Sequence, residues 1–512
     1  MQKPAYTDLA PIAAIATARG PAALSVVRTS GQGSVELLAR VFSRPKALRE
    51  AAGNAVVYGW ITRGEESTVD TGAEFAQKHG GPSVEFAQSA NSRSKTAKQF
   101  CDRIDEVLVN VYRAPRSYTG EDGADIICHG GSAVPNAVLG ILLRSGFREA
   151  LRGEFTFRAF ANGKLGLTRA ESVLEMVDAR TDKARENAAF RLSGALETEI
   201  DAIKQNLVTA LAALELSLDY SELDGVEDAP EGLPERPLVN NALARLESLA
   251  ETYRSQRLCG EGALVVIAGK PNAGKSSLFN LLLKEERAIV TPIPGTTRDY
   301  IEATLDIGGI PVRLADTAGL REDAEGIEAE GIRRSRALMD EADLVILVKD
   351  SGETESGPAG TASAAGGSPL ARGQSPRAEA VTARARPTVT VWNKIDLGGV
   401  RFPADNGVAL SAKTGAGLPE LLRAVSEALL GGQPPERGPA LGTDRQRALV
   451  DLAIAAIKEA VALADSSSGE PPALDLAAPA LKNAVDALGE ITGEVTSEAI
   501  LTAMFSKFCV GK

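Results

Sequence analysis

The chain contains 512 residues, enough for roughly three domains at the usual size of about 100–200 residues each. Hydrophobic residues make up 44% and charged residues 24%, which is typical of a globular protein and excludes wholesale disorder. The 56 basic and 68 acidic residues give a net charge of −12. This charge argues against nonspecific coating of nucleic acid, although it permits a local basic patch.

Cysteine and histidine are too scarce for most metal or disulfide chemistry. The cysteines are Cys101, Cys128, Cys259 and Cys509, and the histidines are His79 and His129. Because no CxxC pair occurs, neither a disulfide framework nor a zinc site is expected. No apolar run approaches about 18 residues, and residues 1–25 lack the features of a signal peptide, so we expect a soluble, cytoplasmic protein.

Residues 1–165 mix short strand-like runs with helical pieces, which predicts an α+β domain. The strand-like runs are residues 23–28, 55–61, 106–112 and 125–128. Residues 64–100 interrupt the domain with a polar stretch that has no periodicity. We interpret most of this stretch as a mobile surface insertion.

The rest of the chain alternates between two sequence patterns, one all-helical and one of alternating strands and helices. A helical period marks residues 166–260, residues 261–432 alternate strand and helix, and the helical pattern returns over residues 433–512. The sequence therefore predicts a doubly wound α/β domain inserted between two halves of one all-α domain. Within the insert, residues 351–386 are nearly all small or polar, so we predict a disordered insertion there.

A strand, a loop and a helix at residues 264–284 predict a nucleotide site. The apolar run LVVIA precedes GKPNAGKS, which has the G-x-x-x-x-G-K-S pattern of a phosphate-binding loop. Its glycines let backbone N–H groups converge on phosphate at a helix N-terminus. Lys275 is placed to neutralise the β- and γ-phosphates, and the Ser276 hydroxyl is placed to bind Mg²⁺.

Three further motifs follow in the order expected of a GTPase. In DTAG, Asp316 suits a metal-bound water and Gly319 suits a γ-phosphate contact. In NKID, Asp396 can accept both donors of a guanine edge, and SAK at residues 411–413 completes the base pocket. Adenine offers no matching pair of donors. The sequence therefore predicts a GTP-binding domain.

The group that would orient the attacking water is less obvious. Ras-like proteins use a glutamine directly after DxxG, but Leu320 stands at this position. Glu328 is the nearest plausible carboxylate, and the alternative is that it is an ordinary solvated helix residue. Asn272 carries an oxygen that suits a monovalent cation beside the phosphates, and Thr297 in GTTRD is the candidate second Mg²⁺ ligand.

GKPNAGKS, TPIPGTTRD, DTAGLRE, VWNKID and SAK together resemble the MnmE (TrmE) family of tRNA-modification GTPases. The resemblance extends to SYTGED, HGG, GEFTFRAF and NGKL in the N-terminal part and to FCVGK at residues 508–512. It implies an N-terminal tetrahydrofolate-binding, dimer-forming domain, a helical domain, and a Ras-like P-loop GTPase domain inserted in the latter.

The resemblance also implies an activity and partners. The chain is expected to be a homodimeric, K⁺-activated GTPase that acts on tRNA in a heterotetramer with a FAD- and NADH-using MnmG-type partner. Together they would attach an aminomethyl or carboxymethylaminomethyl group at C5 of the wobble uridine, with a one-carbon unit from a tetrahydrofolate derivative. Two other interpretations are a regulatory ribosome-assembly GTPase without modification chemistry and an interaction scaffold with a degenerate GTPase domain.

Site residues follow from the same resemblance, motif by motif. Glu328 takes the place of the water-positioning glutamate, and K⁺ ligands fall on Asn272 and the carbonyls of Thr291, Ile293 and Thr296. The folate contacts are Arg28, Glu121, Lys164 and Lys512, where the carboxylate would accept from the pterin and the cations would meet the glutamate tail. The GTP-binding residues are Asn272, Ala273, Gly274, Lys275, Ser276, Ser277, Thr291, Pro292, Ile293, Pro294, Gly295, Thr296, Thr297, Asp316, Thr317, Ala318, Gly319, Asn393, Lys394, Asp396, Ser411, Ala412 and Lys413.

Several residues leave alternatives open or depart from the family pattern. Cys509, beside the implied folate site, is either a reactive thiol, which requires a lowered pKa, or a half-buried structural cysteine. His129 is interpreted as structural rather than catalytic. Pro292 and Pro294 keep their carbonyls but stiffen the K⁺ loop, and Arg152 replaces the usual proline before GEF.

Overall fold

The computed structural model describes residue 6 and residues 8–63, 102–224, 232–285, 302–316, 339–352, 387–398, 407–431, 438–465 and 473–512. The chain divides into two compact units, of which the first comprises Met1–Glu171 and Thr492–Lys512 and the second Ser172–Ile491. Among the residues just given, no helix has the length and apolar character needed to span a bilayer.

The first unit is built on a six-stranded sheet. Its strands are β1 (Ile12–Ile15), β2 (Leu24–Ser30), β3 (Ala55–Thr62), β4 (Arg103–Tyr112), β5 (Gly123–His129) and β6 (Arg148–Glu149). They lie in the order β3-β4-β5-β2-β1-β6, antiparallel except for the parallel pair β1 and β6. The four strand-like runs predicted in this part of the sequence are thus confirmed as β2 to β5.

Helices in both units carry apolar residues at helical spacing. In chain order they are α1 (Ser34–Ala39), α2 (Pro45–Glu50), α3 (Ala133–Arg144), α4 (Glu154–Ala161), α5 (Leu167–Asp178), α6 (Asp182–Leu192), α7 (Ala195–Asp224), α8 (Arg236–Glu261), α9 (Lys275–Glu285), α10 (Leu418–Leu430), α11 (Asp444–Ala464), α12 (Leu474–Thr492) and α13 (Glu498–Phe505). In the first unit, α1, α2 and α3 share one apolar core with β2 to β5.

The C-terminal segment, Thr492–Lys512, belongs to the first unit. Phe505 and Phe508 are buried, and the Phe505 ring packs edge-on against Phe157. A Cβ on Gly511, which has a φ of 93°, would lie 2.6 Å from the carbonyl oxygen of Ile15 in β1, so the close approach requires glycine. Although the sequence predicts residues 433–512 as one half of the helical domain, the structure groups Thr492–Lys512 with the N-terminal residues.

The helices of the second unit and its sheet form separate apolar cores. Helices α7, α8, α11 and α12 bury leucine, isoleucine, valine and many alanines against one another, as the predicted helical period requires. The small alanine side chains allow the helix backbones to approach closely. This packing confirms that helical residues flank the α/β residues on both sides in sequence.

The α/β part contains a second six-stranded sheet. Its strands are β7 (Ala263–Gly269), β8 (Glu302–Ile307), β9 (Ile310–Asp316), β10 (Leu344–Asp350), β11 (Thr388–Asn393) and β12 (Val408–Ala409). The order is β12-β11-β10-β7-β9-β8, and only the β8–β9 hairpin is antiparallel. Strand β7 is buried along nearly its whole length, as expected of a central parallel strand. The predicted doubly wound fold is confirmed.

The predicted insertion at residues 351–386 starts too early. Ser351 is buried and donates its N–H to the Asn393 carbonyl at 2.9 Å, and the Gly352 N–H donates to the Asp350 carboxylate at 3.0 Å. Composition could not reveal this, because the Ser351 bond depends on the neighbouring end of β11. Residues 353–386 and the insertion predicted at residues 64–100 lie outside the described residues.

Candidate functional site

The phosphate-binding loop joins the carboxyl end of β7 to α9. Its turn places Asn272 and Gly274 in left-handed backbone conformations, with φ values of 64° and 96°. A Cβ on Gly274 would lie 2.1 Å from the Asn393 side-chain nitrogen, so glycine is required for this packing. Since ligands of open α/β sheets bind at the carboxyl ends of the strands, the loop lies where a nucleotide is expected.

Polar side chains at the start of α9 suit the phosphate end of a nucleotide. The Lys275 ammonium donates to the Lys270 carbonyl at 2.9 Å, which holds its charge against the loop. Ser276 and Ser277 lie in the first helical turn, where Ser277 is exposed. A hydroxyl is the kind of hard oxygen ligand that Mg²⁺ takes, so Ser276 fits its predicted role.

At the base end, Asn393 ties two loops together. Its side chain is buried, donates to the Ala273 carbonyl at 2.9 Å, and accepts from the Ala412 N–H at 2.9 Å. The phosphate-binding loop and the SAK loop are therefore joined through one amide. A buried amide with both ends satisfied fixes loop geometry firmly.

Asp396 presents the carboxylate that would select guanine. The buried Ser411 hydroxyl donates to Asp396 Oδ1 at 2.7 Å and lowers the pKa of Asp396 below its usual value. The same Ser411 oxygen accepts from the Thr414 N–H at 3.2 Å. The carboxylate is thus both oriented and kept ionised, as an acceptor for two donors must be.

Lys394 has a partner that sequence reasoning missed. Its backbone is left-handed, with a φ of 70°, and its ammonium donates to Asp350 Oδ2 at 2.6 Å. This bond lowers the pKa of Asp350. Asp350 follows Lys349 at the end of β10, and only the pairing of β10 with β11 brings it beside Lys394, so the sequence carried no signal for this partner.

Much of the predicted catalytic machinery lies outside the described residues. Asp316 is the last residue of β9. The predicted site residues outside the described ranges are Thr291, Pro292, Ile293, Pro294, Gly295, Thr296, Thr297, Thr317, Ala318, Gly319 and Glu328, together with Leu320. Of the predicted metal ligands, Asn272 for K⁺ and Ser276 for Mg²⁺ are described.

In the first unit, the structure brings two predicted folate residues to one region. The Glu121 carboxylate accepts from Ser30 Oγ at 2.7 Å, and Arg28 lies two residues before Ser30 on β2, on the same face of the sheet. The Arg28 guanidinium also donates to the Gly511 carbonyl at 3.5 Å, so the C-terminal segment reaches this region. Two other nitrogens of the Arg28 guanidinium donate to the Asp125 carboxylate at 2.9 and 3.4 Å, and the sequence did not predict this pairing.

A buried network of ion pairs holds the Glu121 carboxylate in place. Arg158 donates to both Glu121 oxygens at 3.1 and 3.3 Å and to Glu154 at 3.0 Å. Glu154 is fully buried and also accepts from Arg148 at 2.6 and 3.0 Å. These charges are compensated in place, as buried charges must be. Their signal in the sequence was the pair of charges within the otherwise apolar GEFTFRAF.

The NGKL segment lies beside the TGED loop. Asn162 donates to the Thr119 carbonyl at 2.7 Å, and the Lys164 ammonium donates to the Pro115 carbonyl at 3.0 Å. A Cβ on Gly120, which has a φ of 79°, would lie 3.3 Å from the Lys164 stem. Lys164 therefore lies beside the loop that carries Glu121, as the predicted folate site requires.

Three other predicted residues occupy defined places. The Lys512 N–H donates to the Cys509 carbonyl at 3.4 Å, at the end of the C-terminal segment. Cys509 is exposed, so the half-buried alternative is wrong. His129 Nδ1 lies 2.7 Å from Asp105 Oδ1, and the backbone N–H of His129 donates to Asp105 Oδ2 at 2.8 Å, a paired arrangement that agrees with a structural role.

Comparisons with known proteins cover the whole chain. Residues 11–164 match the family profile described as GTP-binding protein TrmE N-terminus, and residues 167–509 match the MnmE helical domain. The tRNA modification GTPase MnmE of Treponema denticola is 39% identical over 526 residues, with 100% of each chain covered. Its counterpart in Thermus thermophilus is 38% identical over 502 residues, covering 98% of this chain and 99% of its own. Among solved structures, the G domain of the T. maritima FeoB iron transporter is 24% identical, covers 32% of this chain and 98% of its own, and gives a TM-score of 0.21.

Proposed function

Because the chain belongs to the MnmE family of tRNA modification GTPases and is a GTP hydrolase of that class, we propose that it acts on the wobble uridine of tRNA. The proposed reaction installs an aminomethyl or carboxymethylaminomethyl group at C5, with a one-carbon unit from a tetrahydrofolate derivative. The observation that carries the proposal is the cluster around Glu121. There SYTGED is joined to GEFTFRAF through Arg158 and to NGKL through Asn162, and Arg28 links the region to the C-terminal segment.

The GTP part of the proposal rests on the base and phosphate ends of one site. Asp396 accepts from guanine, Asn393 keeps the two binding loops in register, and Lys275 neutralises phosphate charge. Bound Mg²⁺ and K⁺ supply positive charge where negative charge develops during phosphoryl transfer. Ser276 would hold Mg²⁺ with Thr297, and Asn272 would hold K⁺ with the carbonyls of Thr291, Ile293 and Thr296. Glu328 is the proposed water-positioning residue.

Activation by K⁺ is testable without any variant. Asn272 supports it, because its left-handed backbone occurs inside the phosphate-binding loop and its side chain is exposed there. GTP turnover is measured in KCl and in NaCl at equal ionic strength. We expect faster turnover in KCl, and equal rates in the two salts would contradict the role of Asn272 and its loop.

The folate part rests on a donor set that fits the ligand. A pterin edge carries paired N–H donors, which an oriented carboxylate accepts, and the glutamate tail carries carboxylates that Arg28, Lys164 and Lys512 can meet. Binding of 5-formyltetrahydrofolate to the parental protein and to Glu121→Gln is measured by calorimetry. We expect Glu121→Gln to bind at least about tenfold more weakly, a difference of about 1.4 kcal/mol.

The proposed assembly is a homodimer that joins a FAD-dependent MnmG-type partner and tRNA. Mass spectrometry of wobble uridines from cells lacking this chain tests the modification directly. Loss of the C5 substituent supports the proposal. Fully modified uridines with altered ribosomal subunit profiles would instead favour the regulatory ribosome-assembly GTPase.

A further inference from the structure

The ends of β10 and β11 form an ion pair beside the proposed base site. These strands are parallel neighbours, and Asp350 is aligned with Asn393 across the pair. Asp350 Oδ2 lies 2.6 Å from the Lys394 ammonium, while Asp350 Oδ1 accepts from the Gly352 N–H at 3.0 Å. Both oxygens of one carboxylate are therefore engaged, one by its own turn and one by the NKID motif.

The backbone on each side of this pair is itself fixed. The Ser351 N–H donates to the Asn393 carbonyl at 2.9 Å, and Ser351 is buried. Lys394 is held in a left-handed conformation between the buried Asn393 and the base-selecting Asp396. Asp350 thus acts from a rigid strand end on the one long, flexible side chain of the NKID sequence.

A lysine that moves freely must lose rotamer freedom when it closes over a ligand, and that loss weakens binding. A lysine whose ammonium is already paired has lost most of that freedom beforehand. Its methylene stem is then available as apolar surface, since lysine covers apolar groups with its stem while its head stays at a polar partner. A purine held by Asp396 presents such an apolar face beside the 393–396 loop.

We propose that Asp350 is a positioning residue for guanine-nucleotide binding, which holds the Lys394 ammonium so that the Lys394 stem covers the base selected by Asp396. The proposal rests on the proposed role of Asp396. It assigns to Asp350 a part in affinity but no part in distinguishing guanine from other bases.

The test compares nucleotide affinity in full-length variants. Asp350→Asn keeps the shape of the side chain but removes its charge, and we expect a rise of about fivefold both in the Kd of a fluorescent GDP analogue and in the KM for GTP, with kcat within about twofold. Asp350→Glu should restore most of the affinity. Asp465→Asn is the matched control, because it removes a carboxylate from another ion pair, that of Asp465 with Arg236 on α8, and it should leave affinity unchanged.

Two further measurements separate positioning from general disturbance. The ratio of GDP to IDP affinity, which reports recognition of the guanine 2-amino group by Asp396, should be the same in Asp350→Asn and in the parental protein. Adding Asp350→Asn to Lys394→Met should cause no further loss of nucleotide affinity, because both changes remove the same Asp350–Lys394 interaction.

Three outcomes would each overturn the proposal. Asp350→Asn could bind the GDP analogue with parental affinity, its ratio of GDP to IDP affinity could be lowered, or the double variant could lose more affinity than Lys394→Met alone. If Asp350→Asn has a lowered melting temperature, the affinity of Asp350→Glu decides the question. An Asp350→Glu protein that melts normally but binds the GDP analogue more weakly than the parental protein would contradict the proposed positioning role. An Asp396→Ala variant that binds GDP and IDP with the parental ratio would contradict the proposed base site itself, whatever Asp350 does.

Discussion

Asp396, Ser411 and Asn393 show how few side chains define the base end of the site. Ser411 and Asn393 are buried, and the bonds of Asn393 to Ala273 and Ala412 and of Ser411 to Asp396 are 2.7 to 2.9 Å long. Buried polar groups satisfied in this way specify one geometry, because any other arrangement leaves a donor or acceptor unpaired. Base selection therefore depends on residues that hold Asp396 as much as on Asp396.

Ser411→Ala should change the pH dependence of nucleotide binding. The Ser411 hydroxyl lowers the pKa of Asp396, so the carboxylate stays ionised, and guanine binding persists, as the pH falls toward that lowered pKa. Without the hydroxyl the pKa rises toward its ordinary value, and affinity should be lost at a higher pH. The Kd of a fluorescent GDP analogue is measured between about pH 2.5 and 5.5 for both proteins, a window that brackets the ordinary Asp pKa of about 3.9. Superimposable pH curves would show that the hydrogen bond has no such effect.

Asp396→Asn should exchange the preferred base. The carboxylate accepts from the guanine N1–H and 2-amino group, whereas an amide offers one acceptor and one donor, which complement the N1–H and the C2 carbonyl of xanthine. We expect GDP affinity to fall at least about tenfold and xanthosine diphosphate affinity to rise. Competition between the two nucleotides measures the exchange, and a variant that still prefers GDP would contradict the assignment.

At the scale of elements, the β8–β9 hairpin is held by a neighbouring helix within the second unit. Its turn uses Gly308 and Gly309, with φ values of 63° and 87°, and a Cβ on Gly309 would lie 2.7 Å from Lys183 Cβ. The Thr181 hydroxyl donates to the Gly309 carbonyl at 2.8 Å and accepts from the Ala184 N–H at 3.2 Å. One hydroxyl thus caps α6 and fixes the hairpin turn.

Thr181→Val should destabilise the second unit by about 1–2 kcal/mol, because it removes a helix cap and leaves the Gly309 carbonyl without this donor. Thr198→Val is the control, since the Thr198 hydroxyl is exposed and bonds to the Gly194 carbonyl, which directly precedes its own helix. Unfolding in guanidinium chloride measures both variants. If Thr198→Val lost as much stability as Thr181→Val, the loss in Thr181→Val could not be assigned to the bond with Gly309.

The elements that the sequence predicted well carry local signals. Strand β7 is a continuous apolar run followed at once by a glycine-rich loop, so its type, its burial and the site after it could all be derived. The pairings of Arg28 with Asp125 and of Lys394 with Asp350 could not, because each joins residues that only the folded sheet brings together. The start of the 351–386 insertion was misplaced for the same reason. Composition describes a segment, but a hydrogen-bond partner lies elsewhere in the chain.

At the scale of the whole molecule, the predicted insertion separates two neighbouring strands of one sheet. Strand β10 ends at Asp350 and β11 begins at Thr388, yet the two pair along their length. A longer connection between paired strands costs little, about 0.6 kcal/mol for each doubling of its length. The long connection is therefore compatible with an ordinary GTPase sheet.

Replacing residues 353–386 by a Gly/Ser linker of about 15 residues, long enough for the crossover that two parallel strands require, should leave folding and GTP turnover near the parental level. The matched control carries the same linker and also replaces Ser351 and Gly352 by proline, which has no backbone N–H and so removes the bonds to Asn393 and Asp350. We expect that control to bind GTP more weakly. Turnover and nucleotide affinity are measured for both proteins, and loss of GTP binding in the deletion without the prolines would show that the segment belongs to the packed domain.

The C-terminal segment has a consequence for the order in which the protein can be made. Residues 492–512 leave the ribosome only after residues 172–491, yet Phe505 and Phe508 fill the interior of the unit that begins at the N-terminus. That unit is therefore translated first and completed last. Until Phe505 and Phe508 have been translated, the nascent chain exposes the apolar surface that these two rings will cover, which is the kind of surface that chaperones bind.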